Sequence, residues 1–285
     1  MMRIQQRMLV LALVTILLVS GCVAQASPAN ETAQALPTVT FTAVDYAYEG
    51  PDEISAGPTS VTLINKGETA HHLQLARLPE AMTAADIFAL FQENPPAAIG
   101  ALTFVGGPGL LDPGLQQEVV IDLLPGAYLA LSFVLDDAGV PYLAKGMAKP
   151  FTVVATAAER ATNAYTMTAD GVAQLLDFSF VLPAVINAGE QIWQVVNEGH
   201  EPHEIMVMRL ADGKTVSDAL AFLHAPTGQP PYTSIGGFQA IMPGQTGWLK
   251  LDLAPGNYVA ICYIPGSATG ELHFDMGMVQ PFTVQ

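Results

Sequence analysis

Cys262 to Met278 reads C-Y-I-P-G-S-A-T-G-E-L-H-F-D-M-G-M, which puts a thiol, the imidazole of His273 and the thioethers of Met276 and Met278 in one short stretch. Upstream, Asn197 to Glu204 reads N-E-G-H-E-P-H-E and adds imidazoles at His200 and His203. Thiolate and thioether suit Cu(I), imidazole suits both oxidation states, and a compromise geometry keeps reorganisation on electron transfer small. Two histidines, one cysteine and a weak methionine are the donors of a one-electron copper centre. The chemistry they point to is metal binding and electron transfer.

Cysteine usage narrows this further. The chain has two cysteines. The first, Cys22, follows an N-terminal segment, 1–21, with Arg3 and Arg7 at its start and an apolar run from Met8 to Val19 broken only by Thr15. That run is short for a membrane span and has the length of a signal-peptide core. It ends Val19-Ser20-Gly21-Cys22, which resembles a bacterial lipobox with Cys22 as the lipidated first residue of the mature chain. Residues 22–37 are small and polar and read as a flexible tether. The expectation is an exported protein held by lipid on the extracytoplasmic face of a bacterial membrane. Cys262 is then the only thiol of the folded body, and exported proteins normally pair their cysteines. A buried small hydrophobe is the ordinary role for such a residue. The His/Met cluster downstream favours ligation.

Removing 1–21 takes away two arginines and no acids, leaving 8 basic against 26 acidic residues and a net charge of −18. A chain this acidic repels nucleic acid and anionic lipid. It suits a basic redox partner, although acidity also serves plain solubility.

The elements that must hold these residues come in two sets. Val44 to Gly57 matches Leu176 to Gly189 at an offset of 132, which also carries Asn65-Lys66-Gly67 onto Asn197-Glu198-Gly199 and His71 onto His203. Further on, Tyr128 matches Tyr258, Ser132 matches Cys262 and Met147 matches Met278. A repeat of this length has the size of a domain. The expected organisation is one domain over 38–154, a linker over 155–166 and a second domain over 167–285. Thr59 to Ile64, Glu190 to Val196, Glu118 to Leu123, Gly247 to Leu253, Tyr128 to Val134 and Tyr258 to Ile264 read as strands bounded by Asn-x-Gly or Pro-Gly turns. Thr83 to Gln92 and Thr215 to His224 open T-x-x-D and read as one short helix in each half. The fold class is all-β: two tandem antiparallel sandwiches of Greek-key type, each with one inserted helix.

With N-x-G-x-x-P-H followed by P-G-x-Y-x-x-x-C and then H-x-x-x-x-M, the second half resembles the cupredoxin family, especially plastocyanin-like domains. The resemblance implies a type 1 copper centre with His203 as first ligand, Cys262 as thiolate, His273 as second imidazole and Met278 as the long axial ligand. Ten residues separate Cys262 from His273. Small blue-copper proteins usually have a tighter loop, and copper nitrite reductases carry one of comparable length. Met276 is an alternative to Met278, and His200 an alternative to His203, which follows Pro202.

In the first half Ser132 stands where the thiol would be and Tyr142 where the second histidine would be. That half is expected to hold no type 1 copper, and His71 and His72 to be surface or turn histidines. No His-x-His pairs occur, and Ile261 rather than a histidine precedes Cys262, so the chain is expected not to be an enzyme. Three readings remain: an electron carrier with one type 1 copper, a Cu(I) storage or delivery protein, and a metal-free binding or assembly module.

Overall fold

The computed structural model describes residues 36–155 and 167–285. The signal segment 1–21, Cys22, most of the tether and 156–166 of the linker lie outside the described residues. Among the described residues no helix is long and apolar enough to cross a membrane.

In the N-terminal half the strands are β1 (Thr38–Val44), β2 (Ala47–Glu49), β3 (Glu53–Ser55), β4 (Gly57–Asn65) and β5 (Gln74–Arg77). After the helices α1 (Ala84–Glu93) and α2 (Pro95–Ala101) come β6 (Thr103–Gly106), β7 (Gln116–Leu123), β8 (Gly126–Leu131) and β9 (Ala148–Val154). The C-terminal half has β10 (Gly171–Leu176), β11 (Ser179–Val181), β12 (Gly189–Asn197) and β13 (His203–Leu210). There α3 (Val216–His224) precedes β14 (Tyr232–Ile241), β15 (Thr246–Leu253), β16 (Gly256–Ile261) and β17 (Val279–Val284).

The strands form two facing sheets, ordered β11-β10-β12-β15-β7-β4-β1-β2 and β17-β16-β13-β14-β6-β5-β8-β9-β3. Each sheet runs through both halves, so Leu36–Gln285 is one compact unit. The seam joins equivalent strands. Val119 of β7 pairs with Leu249 of β15, and Pro108 bridges to Phe238, in each case residues that match at an offset of 130. Gln117 locks the seam, its buried carbonyl accepting the amides of Gly109 and Gly237, one from each half, at 3.0 and 2.9 Å.

Three expectations need correction. The sandwich is not purely antiparallel: β1 pairs with β4, β10 with β12 and β3 with β9 in parallel. After each short hairpin (β1–β2, β10–β11) the chain travels the length of the sheet before re-entering beside its first strand. The N-terminal half has two α-helices rather than one. Asn94 caps the second by accepting the Ala97 amide, and Pro95 and Pro96 sit at its first two positions, where no amide hydrogen is required. β8 and β16 stop at Leu131 and Ile261, short of the expected Val134 and Ile264. The next free amides are taken by side chains, Phe133 by His72 Nε2 (2.8 Å) and Tyr263 by Glu204 Oε1 (2.9 Å), so the ladder ends there. The expected capping boxes are present on α1 and α3, at Thr83–Asp86 and Thr215–Asp218.

Candidate metal centre

At one end of the C-terminal half the chain lays out a site before any side chain is considered. Cys262 is the first residue beyond β16, and the segment that follows folds back on it. Its amide donates to the Met278 carbonyl (3.3 Å), its carbonyl accepts from Phe274 (3.0 Å), and His273 donates to Ile264 (2.8 Å). Met278 in turn donates to the carbonyl of His273 (2.8 Å). The intervening loop is closed by Gly266 donating to Glu271 and Gly270 donating to Gly266, both at 2.8 Å. Backbone hydrogen bonds therefore set where residues 262, 273 and 278 stand relative to one another.

His203 opens β13 on the facing segment. Buried Asn197 fixes the turn before it, donating to the carbonyls of Glu201 (2.9 Å) and Ile241 (2.8 Å) and accepting the Gly199 amide (3.0 Å). His203, Cys262, His273 and Met278 are all 0% exposed. One donor atom from each of His203, Cys262 and His273 lies within 4.8 Å of the other two. His203 Nδ1 is 3.1 Å from His273 Nδ1, which is 3.5 Å from Cys262 Sγ. Phe178 stands edge-on to the His273 ring at 5.1 Å and walls the site.

The other two expected candidates are placed elsewhere. His200 is exposed, its Nδ1 2.7 Å from Asp177 Oδ2. Met276 is half-buried and its sulfur accepts from Thr269 Oγ1 at 3.9 Å, in the loop.

The chemistry of the donor set fits a soft cation. His203 Nε2 lies 3.0 Å from Asp177 Oδ1, and His273 Nε2 lies 3.3 Å from Glu201 Oε2. Burial pushes Asp177 up, but hydrogen bonds from His203 and His200 outweigh it and hold the carboxyl below its usual range. The Ser267 amide does the same for Glu201. Ionised carboxylates only accept, so both Nε2 atoms carry the proton and both Nδ1 atoms are bare acceptors facing each other. Such a contact at 3.1 Å becomes favourable when a proton or a metal ion lies between the two nitrogens. Burial, and then the closeness of the second imidazole, push His273 down, and burial with the nearby Glu204 pushes the Cys262 thiol well up. Both shifts oppose charge in a bare site. A bound metal ion reverses the second by deprotonating the thiol outright. Burial raises Glu204 itself to about 7.

The N-terminal half repeats the scaffold without the thiol and the second imidazole. Ser132 donates to the Met147 carbonyl (3.3 Å), Leu143 to Ser132 (3.0 Å), Tyr142 to Val134 (2.8 Å) and Met147 to Tyr142 (3.0 Å). Asp45 meets His71 Nε2 at 2.6 Å, as Asp177 meets His203. Tyr142 takes the place of His273, and its hydroxyl donates to Thr69 Oγ1 (3.0 Å) at the position that Glu201 holds in the other half. Of the two expected settings for His71 and His72, surface or turn, the surface one is corrected, since they are 0% and 9% exposed. His71 sits in the ligand position, and His72, pushed down to about 3 by burial and by His71, accepts the Phe133 amide.

Sequence reasoning missed Asp177, Glu201 and Glu204. Asp177 had a signal, because Asp45 matches it within V-D-Y and L-D-F. Glu201 had a subtler one: Thr69 replaces it in the half where Tyr142 replaces His273.

The fold and donor set together define a cupredoxin-like sandwich in two halves, with a His-Cys-His group in the second. No protein-family model and no curated protein matches the chain. Among solved structures it is similar to a multicopper oxidase (14% identity, 88% of this chain and 89% of that one, TM-score 0.27). It is also similar to auracyanin A, a "blue" copper protein of Chloroflexus aurantiacus (20% identity, 43% and 100%, TM-score 0.28). A third is the copper nitrite reductase of Nitrosomonas europaea (13% identity, 88% and 94%, TM-score 0.25). The class rests on the chain's own sheets and donor group. The neighbours do correct one expectation. They include a multicopper oxidase and a copper nitrite reductase as well as a blue copper protein, and the expectation that the chain is not an enzyme does not stand.

Proposed function

We propose that the chain is a copper-binding electron-transfer protein with one type 1 centre in its C-terminal half. His203 Nδ1, Cys262 Sγ and His273 Nδ1 would hold the ion, and the Met278 thioether would be a fourth, weak donor. The observation that carries the reading is the buried His-Cys-His group, whose donor atoms lie within 4.8 Å of one another. The matching scaffold around Ser132 and Tyr142 has no thiol. Copper bound there supplies a one-electron couple between Cu(I) and Cu(II). The residues hold the donors in place in both states, because backbone hydrogen bonds rather than the ion set their spacing, and small rearrangement favours fast electron transfer. Burial at 0% excludes water from the donors.

In this account 38–154 and 167–285 are the two domains, joined by a linker over 155–166. The chain is exported, and lipid on Cys22, with 22–37 as a tether, anchors it on the extracytoplasmic face of a bacterial membrane. Its redox partner is basic. Glu198, Glu201, Glu271 and Asp275 lie on the segments that carry His203 and His273, whereas Arg209 and Lys214 lie towards the opposite end of β13.

The test is a Cu(II) titration of the mature chain followed by visible absorption, repeated with Cys262→Ser. An intense thiolate-to-copper charge-transfer band, saturating at one copper and absent from the variant, supports the reading. Colourless Cu(I) binding that survives the substitution would shift it to copper storage or delivery. No binding of either ion would leave a metal-free module.

A further inference from the structure

The two carboxylates behind the candidate ligands have a geometry of their own. Asp177 Oδ1 sits 3.0 Å from His203 Nε2, and its other oxygen meets His200 Nδ1 at 2.7 Å. The His200 backbone amide donates to Oδ1 as well, at 2.8 Å, so the carboxylate cannot turn away. Glu201 Oε2 sits 3.3 Å from His273 Nε2 and accepts the Ser267 amide at 2.9 Å, which ties the long loop to the second imidazole. The N-terminal half is an internal comparison. It keeps the aspartate (Asp45 on His71) but has Thr69 facing Tyr142, so the glutamate goes with the second histidine.

Resting on the copper reading above, we infer that Asp177 and Glu201 are positioning residues that fix both imidazoles as Nε2–H tautomers and bias the centre toward Cu(II). A carboxylate that accepts the distal N–H raises the basicity of the ligating nitrogen, and its negative charge stabilises the more positive oxidation state. Each ligand imidazole has one. The centre therefore works at a lower potential than it would with uncharged acceptors in the same places. Its partner on the oxidising side can be correspondingly mild.

Two measurements test this, the first without copper. In the apoprotein, long-range 15N–1H NMR should show His203 and His273 both protonated at Nε2. A ring protonated only at Nδ1 would overturn the positioning role whatever copper does. In the copper-loaded chain, Glu201→Gln keeps an acceptor and removes the charge, while Glu201→Thr installs the residue of the other half. Both, and Asp177→Asn, should weaken Cu(II) binding about 10–100-fold and Cu(I) binding less. Every tenfold difference between the two moves the midpoint upward by about 59 mV. Unchanged midpoints in Glu201→Gln and Asp177→Asn, with the centre still formed, would overturn the bias toward Cu(II). If the wild-type chain takes no copper while both rings keep Nε2–H, the copper reading and the bias that rests on it fall, and the positioning role stands.

Discussion

Gly199 is the residue on which the His203–Asp177 contact depends, and Gly199→Ala tests that contact directly. A Cβ at 199 would lie 2.5 Å from Asp177 Oδ1 and 2.6 Å from His203 Nε2, both closer than real Cβ atoms approach. His203 is 0% exposed and held at the start of β13, so it cannot retreat, and the 3.0 Å contact must open. A hydrogen bond to a charged group contributes about 1.5–3 kcal/mol, and a buried donor left without a partner costs about 1–3 kcal/mol. Asp177 is about one-third exposed and keeps its bonds to His200, so the lower part of that range applies, about 2 kcal/mol. That is roughly a 30-fold change in an equilibrium constant. Urea unfolding of the apoprotein measures the stability loss, and competition with a chelator of known strength measures the copper affinity. Gly67→Ala is the control. Its Cβ would meet His71 Nε2 at 2.5 Å and Asp45 Oδ1 at 2.7 Å in the half without the thiol, so stability should fall similarly with copper affinity unchanged. If Gly199→Ala alters neither stability nor affinity, the carboxylate is not seated behind His203 and the account of the site is wrong.

Other expectations follow from the same coordinates. Ser132→Cys with Tyr142→His should raise the stoichiometry of coloured copper from one to two, since the scaffold there matches that around Cys262, and a stoichiometry of one would show that the two scaffolds are not interchangeable. His72 is held well below its ordinary value at about 3, chiefly by burial. It stabilises the fold fully above about pH 6.5, and that contribution is lost as pH falls from there toward 3, by about 1.4 kcal/mol for each pH unit while it lasts. His72→Gln should flatten the stability–pH profile of the apoprotein between pH 6 and 4, and an unchanged slope would argue against a buried neutral ring. Thr215→Ala removes the capping box of α3 and should cost about 1 kcal/mol in thermal or urea unfolding. The same change should leave the copper spectrum unaltered, because the helix meets the ligand-bearing segment at Phe274 and, through His224 at its far end, at Asp275, and not at the donor residues themselves.

The all-β class was legible because strand and turn chemistry is local: Asn-x-Gly and Pro-Gly turns bracket runs of β-branched residues, and T-x-x-D opens both α1 and α3. Cys262, His273 and Met278 stood out because their types are rare and closely spaced, and His203 because it follows Pro202 in a stretch that matches His71; the structure brings His203, Cys262 and His273 together. The shared sheets were not legible, since pairing Val119 with Leu249 depends on long-range docking that no local pattern encodes. The burial of His71 and His72 was hidden for a similar reason. Adjacent polar residues look like a turn until a carboxylate from β1's far end and an amide beyond β8 arrive to satisfy them. Asp177 and Glu201 read as ordinary surface acids, and only the paired change of Thr69 with Tyr142 marks Glu201 as part of the site.

The most direct measurement is copper K-edge X-ray absorption on the Cu(II)-loaded mature chain, with Cys262→Ser beside it. The account predicts one short copper–sulfur bond with two copper–nitrogen bonds, and loss of the short sulfur shell in the variant. A nitrogen and oxygen environment without a short sulfur bond in the wild-type chain would contradict it.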